Sequence, residues 1–181
     1  MNLHDAQREM RSALLGGFAG QLIAGLIWAF SALFTLLGEA TIGIALLFFG
    51  SMAIFPLTQG LLRLLGRPAR VSPANGLWPL GMQIAFTVPL NFLLVFAAAF
   101  YRADWFYPAA MIVVGAHYLP FITLYGMRMF GLLAGLLVTG GTLLGVLGSP
   151  APSLGGWVTA ALLIAFAFAG RWLVLREEQG P

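Results

Sequence analysis

The sequence contains no cysteine and no lysine. Without cysteine there are no disulfides, thiolate metal sites, cysteine nucleophiles or thiol redox chemistry, and the absence leaves the compartment open. Without lysine there is no amine for a Schiff base of the retinal or pyridoxal kind. Charge is also scarce: 8% of the 181 residues are charged, where a soluble domain carries about 25%. Carboxylates are absent from the interiors of the long apolar runs, with Glu39 and Asp104 at their ends. That argues against carboxylate-based proton or sodium coupling. Two histidines, His4 and His117, are too few for a metal site, and His4 lies too far outside the apolar runs to complete a bis-histidine haem. No cofactor is expected. No nucleophile motif, phosphate-binding loop or carboxylate pair is present, so an enzyme would have to run on His117 with Tyr118 or a hydroxyl.

What is abundant is apolar surface, 60% of residues with a mean hydropathy of +0.93. A water-soluble fold cannot hide that much, whereas a bilayer takes spans of about 20 residues. Six runs of suitable length occur, over residues 12–37, 41–65, 77–100, 105–125, 127–147 and 157–175. The expectation is an all-α integral membrane protein, a six-transmembrane-helix bundle forming one domain over residues 1–181. The first run is too long for a signal-peptide core and is read as a retained helix, with residues 4–11 before it as a short interfacial helix. Pro56, Pro79, Pro89 and Pro120 fall within runs, which membranes tolerate where neighbouring helices satisfy the freed carbonyls.

Arginine placement sets the orientation, because cytoplasmic loops are enriched in basic residues. With the N-terminus inside, every arginine except Arg102 lies inside: Arg8, Arg11, Arg63, Arg67, Arg70, Arg128, Arg171 and Arg176. The expected location is the inner membrane, with both termini cytoplasmic. The arginines are spread over membrane-flanking positions rather than gathered into a patch, so no nucleic-acid partner is expected. The aromatic segment at residues 101–107 is read as an interfacial anchor on the outer side.

Polar side chains are costly in hydrocarbon, so their positions are informative. Gln83, Thr87 and Asn91 follow at i, i+4 and i+8 on one helix face, and Gln21, Trp28 and Thr35 at heptad spacing on another. Thr58 and Gln59 lie in the second run, and His117, Tyr118 and Tyr125 in the fourth. These stripes are expected to point inward. The leading reading is a polar pocket among the first four spans, with Gln21, Trp28, Gln59, Gln83, Thr87, Asn91, His117 and Tyr118 as ligand-binding residues. Its ligand is a small neutral or amphipathic molecule, bound or transported. The alternative is a structural or accessory membrane protein whose amides only tie helices together, at about 0.6 kcal/mol each. An intramembrane enzyme using His117 is the third reading. Gly16, Gly20, Gly131, Gly135, Gly141 and Gly145 give small-xxx-small spacings that allow close helix approach, within one chain or in a homo-oligomer.

The stretch 115–121, Gly-Ala-His-Tyr-Leu-Pro-Phe, followed by Leu124, Tyr125 and Gly126, resembles a segment of small bacterial polytopic membrane proteins in families of unknown function. The resemblance covers about a dozen residues and implies no activity. It draws attention to His117, Tyr118 and Pro120.

Overall fold

The computed structural model describes residues 1–180, which among themselves form helices and no strands. The first helix, α1 (Leu3–Leu14), is short and amphipathic. Asn2 caps it, its Oδ1 accepting the Asp5 N–H at 2.9 Å, and Asp5 and Arg11 in its first and last turns suit the helix dipole. The chain then turns through Leu15, Gly16 and Gly17 at φ of 49°, 61° and 83°. Two glycines take this conformation freely. Leu15 does so at about 1–2 kcal/mol, offset by burial of its side chain.

Six helical segments are long and apolar enough to cross a membrane. They comprise α1 with α2 (Phe18–Leu36), α3 (Ala40–Leu64), α4 (Leu77–Tyr101), the pair α5 (Phe106–Tyr118) and α6 (Phe121–Tyr125), α7 (Met129–Leu147) and α8 (Leu154–Glu178). The helix expected to run unbroken from Ser12 is instead divided at Leu15–Gly17, so Ser12 belongs to α1 and α2 begins at Phe18. The fourth run is divided as well. Pro120 has no N–H to give and α5 stops at Tyr118, whereas α3 and α4 continue through Pro56 and Pro89.

Helix α2 lies between α3 and α8, and α5 lies between α4 and α7. Contacts of α8 with α7 and α5 join the two groups. The α2–α8 approach is close because glycine is small: a Cβ at Gly25 would stand 2.7 Å from Ile164 Cγ1. Gly16 packs in the same way on Gly170 and Val174 of α8, and Gly141 on Pro108 of α5, while Gly135 faces open space. Consecutive helices α3 and α4 meet where the Phe48 ring contacts Phe92 and Phe96, at 5.7 and 5.2 Å. Large apolar side chains cover the outside, Phe49 being 65% and Leu93 71% exposed. Such a surface matches hydrocarbon and not water.

One end of the bundle is polar and cross-linked. There α1 meets the 65–76 link, α6 and the last turn of α8, through Asn75 to the Ala6 carbonyl, Gln7 to the Thr123 carbonyl and Arg11 to Glu177. The two described chain ends therefore lie together.

Candidate functional site

Gln21 stands one turn into α2 and is 3% exposed, yet neither Oε1 nor Nε2 has a hydrogen-bond partner among the described residues. The Thr58 hydroxyl on α3 is buried and unpaired too, and lies next to Gly20. Leaving such groups unpaired costs about 1–3 kcal/mol each. A Cβ placed on Gly17 would come within 3.9 Å of Gln21 Oε1, 3.8 Å of the Tyr125 ring and 3.5 Å of Phe130, so these groups converge on the glycine turn.

Tyr125 and Phe130 belong to an aromatic cluster. Tyr118 stacks on Phe130 at 6.0 Å, Phe121 stacks on Tyr125 at 5.6 Å, and Tyr125 lies 5.3 Å from Phe130. The break at Pro120 turns α6 so that Tyr118, Phe121 and Tyr125 face the start of α7. His117 adjoins the cluster through Tyr118 at 5.6 Å and Phe121 at 5.0 Å. From Tyr125 and Phe130 at the glycine turn a continuous run of rings reaches Tyr118 and His117, in which Phe121 and Phe130 carried no signal in the sequence beyond apolarity.

The remaining expected residues go elsewhere. On α4, Gln83 and Thr87 are exposed and Asn91 is half-buried, so the expectation that this stripe points inward is corrected. The buried face of α4 is the apolar one, with Leu77, Ile84, Phe92 and Val95. Asn91 Nδ2 donates to the Thr87 carbonyl at 2.7 Å. Thr87 Oγ1 gives its single proton to the Ile84 carbonyl at 2.7 Å. Its 3.2 Å contact with His117 Nδ1 is then a bond in which the ring N–H donates, which fixes the tautomer. Gln59 is half-buried on α3 beside Thr58.

Trp28 is buried against Tyr107, ring centroids 6.0 Å apart. Tyr107 had been expected among interfacial anchors, and it is instead buried, whereas Tyr101 is exposed. The Tyr107 hydroxyl lies 2.7 Å from Ser31 Oγ and 2.9 Å from Thr35 Oγ1. Ser31 donates to the Gly43 carbonyl at 2.7 Å, so Tyr107 donates to Ser31 and Thr35 donates to Tyr107. Every proton in this network is used, and it ties α2, α3 and α5 together.

At the polar end, Arg67 makes a two-point pair with Glu178, at 2.6 and 2.7 Å. Residues 176–178 extend past the apolar stretch of α8. Hydrogen bonds from Arg11 and Arg67 hold the Glu177 and Glu178 carboxyls below the usual glutamate range, and Glu178 in turn raises Arg67. Among the described residues no three His, Asp or Glu side chains gather as metal ligands.

Residues 3–176 match the model of a family described as a family of unknown function, DUF7010, and the chain belongs to that family. The match spans nearly the whole chain, far beyond the segment at 115–121. No curated protein and no solved structure matches the chain.

Proposed function

We propose that this member of the family is a multi-pass inner-membrane protein with both termini cytoplasmic, and that it binds or passes a small neutral or amphipathic molecule at a site around Gln21. The observation that carries the reading is the buried, unpaired Gln21 amide, which converges with the Tyr125 and Phe130 rings on the turn at Gly17, while the unpaired Thr58 hydroxyl borders Gly20. An amide that offers both a donor and an acceptor next to aromatic faces suits a ligand with one polar group and an apolar body. Charged ligands are disfavoured there, since Arg11, whose guanidinium reaches the Tyr125 carbonyl, is already paired with Glu177. Gln83, Thr87 and Asn91 drop out of this site; His117 and Tyr118 stay at its margin.

The orientation rests on the arginines, all but Arg102 falling at the cross-linked end or close to it. In this cysteine-free chain Pro68→Cys should react with a membrane-impermeant thiol reagent only from the cytoplasmic side. Labelling from the periplasm reverses the orientation.

The site is tested with purified protein in detergent, by thermal unfolding against a panel of uncharged and amphipathic compounds. A compound that stabilises the wild type and not Gln21→Leu supports the reading. The structural alternative draws on the Ser31, Tyr107 and Thr35 network, which shows polar groups serving only to join helices. It wins if Gln21→Leu destabilises the protein and no compound stabilises it. Catalysis by His117 has little to draw on, because its side-chain hydrogen bond is with Thr87. Gly135 on α7, like Gly60 on α3, meets nothing within 4 Å and offers a position for a homo-oligomer contact.

A further inference from the structure

We propose that a cavity at the polar end, between α1, the turn before α7 and the end of α8, is a binding site for a phosphate-bearing anion, supplied in the membrane by an anionic phospholipid. This site is separate from the one around Gln21 and stands or falls without it.

The cavity measures about 480 Å³, within the range of small-ligand sites. Its polar wall is His4, Gln7, Arg11, Arg128 and Glu177, and its apolar wall is Met127, Met129, Leu173 and Val174. Helix α1 sorts its charges between two sides. His4 and Arg11, at i and i+7, line the cavity on one side of the helix, whereas Arg8 borders a neighbouring groove with Asp5 and Glu9. On the other side Glu9 accepts the Ser72 N–H at 2.7 Å and Asn75 Nδ2 at 2.8 Å, so its carboxylate is held by the 65–76 link.

The one carboxylate in the cavity wall, Glu177, neutralises Arg11 and leaves Arg128 uncompensated. Both Glu177 oxygens are taken by Arg11, at 2.6 and 2.8 Å. Arg128 is exposed and makes no ion pair among the described residues. Its guanidinium is the free cation at the rim, with His4 opposite on α1. Helix α7 starts at this wall, and its N-terminal peptide dipoles add to the same sign. The apolar side chains share the cavity wall with Arg128. Leu173 is exposed on α8 and Met129 is half-buried on α7, so a chain attached to a bound headgroup would run down between those helices. Cationic rim and apolar flank together match a headgroup joined to an acyl chain, and not a free peptide carboxylate.

The test is native mass spectrometry of the full chain in detergent, titrated with phosphatidylglycerol, phosphatidylcholine or inorganic phosphate. Phosphatidylglycerol should be retained over phosphatidylcholine. Arg128→Gln should weaken its retention about five-fold, the loss expected for one arginine near an anionic surface. Arg63→Gln, an exposed arginine in the last turn of α3 outside the cavity, should leave retention unchanged and so separates a site from general basicity. Competition by millimolar inorganic phosphate supports the anion site and makes free phosphate its source. Equal retention of the two lipids, or equal losses for Arg128→Gln and Arg63→Gln, overturns the proposal.

Discussion

Arg11 and Glu177 join the two ends of the chain with a two-point ion pair, Nε to Oε2 at 2.8 Å and Nη2 to Oε1 at 2.6 Å. Nη1 of the same guanidinium donates to the Tyr125 carbonyl at 2.7 Å. One buried side chain thus ties α1 to α6 and α8. Arg11→Gln should lower stability by about 1–3 kcal/mol, because the Tyr125 carbonyl and Glu177 both lose a partner. Glu177→Gln should cost less, since Glu177 is exposed and water replaces the lost charge. Thermal unfolding of both variants in one detergent checks the order, and the reverse order would contradict it.

The pairs also set a pH dependence. Glu177 and Glu178 have folded pKa values below the ordinary 4.5, chiefly through hydrogen bonds from Arg11 and Arg67. A depressed carboxyl stabilises the fold fully above its ordinary value and loses that contribution as pH falls through it toward the folded value. A spin label on Leu3→Cys should therefore report an immobile α1 at neutral pH and a mobile one progressively below pH 4.5. In an Arg11→Gln background the label should already be looser at neutral pH. A spectrum unchanged down to pH 3 would show that contacts without a titrating carboxylate, such as buried Met10 and the Gln7 bond to the Thr123 carbonyl, hold α1 without these pairs.

Tyr107→Phe removes the hydroxyl at the middle of a fully paired network and should destabilise by about 1 kcal/mol, within the range for interhelical hydrogen bonds in membranes. Gln21→Leu removes an unpaired amide and should leave stability unchanged or raise it. Unfolding of the two variants side by side separates a group that holds the bundle from one that does not.

Gly25→Val should destabilise strongly, by about 1–3 kcal/mol, because a Cβ there would lie 2.7 Å from Ile164 and 3.3 Å from the Ala160 carbonyl. Gly135→Ala meets nothing within 4 Å and should be neutral or slightly stabilising in a monomer. A loss of stability at Gly135 that depends on protein concentration would point to a contact between copies.

The six apolar segments were legible because a bilayer's thickness imposes a length that few other constraints mimic. The division at Leu15–Gly17 was hidden, since Leu14, Leu15 and Phe18 continue the apolar run and hydropathy does not register a change in φ. Periodicity grouped Gln83 with Thr87 correctly, but spacing defines a shared face without saying whether it turns toward the bundle or away. Polarity suggested inward; the apolar stripe of Ile84, Phe92 and Val95 took that place. Tyr107 looked like its neighbour Tyr101 because both lie at the end of a run, and only the approach of Ser31 and Thr35 distinguishes them. Gln21 could be read as buried. That it is unpaired depends on where four other segments stop.

Helix α1 precedes its hydrogen-bond partners on other segments by 55 to 166 residues. Its bonds to the 65–76 link and to α6 can form before α8 is made, whereas the pairs of Arg11 with Glu177 and of Ser12 with Glu178 close only when the last turn of α8 is in place. Those pairs are therefore the last of its contacts to form. A C-terminal truncation before Glu177 should leave the six long segments in place with α1 held less firmly and more open to protease.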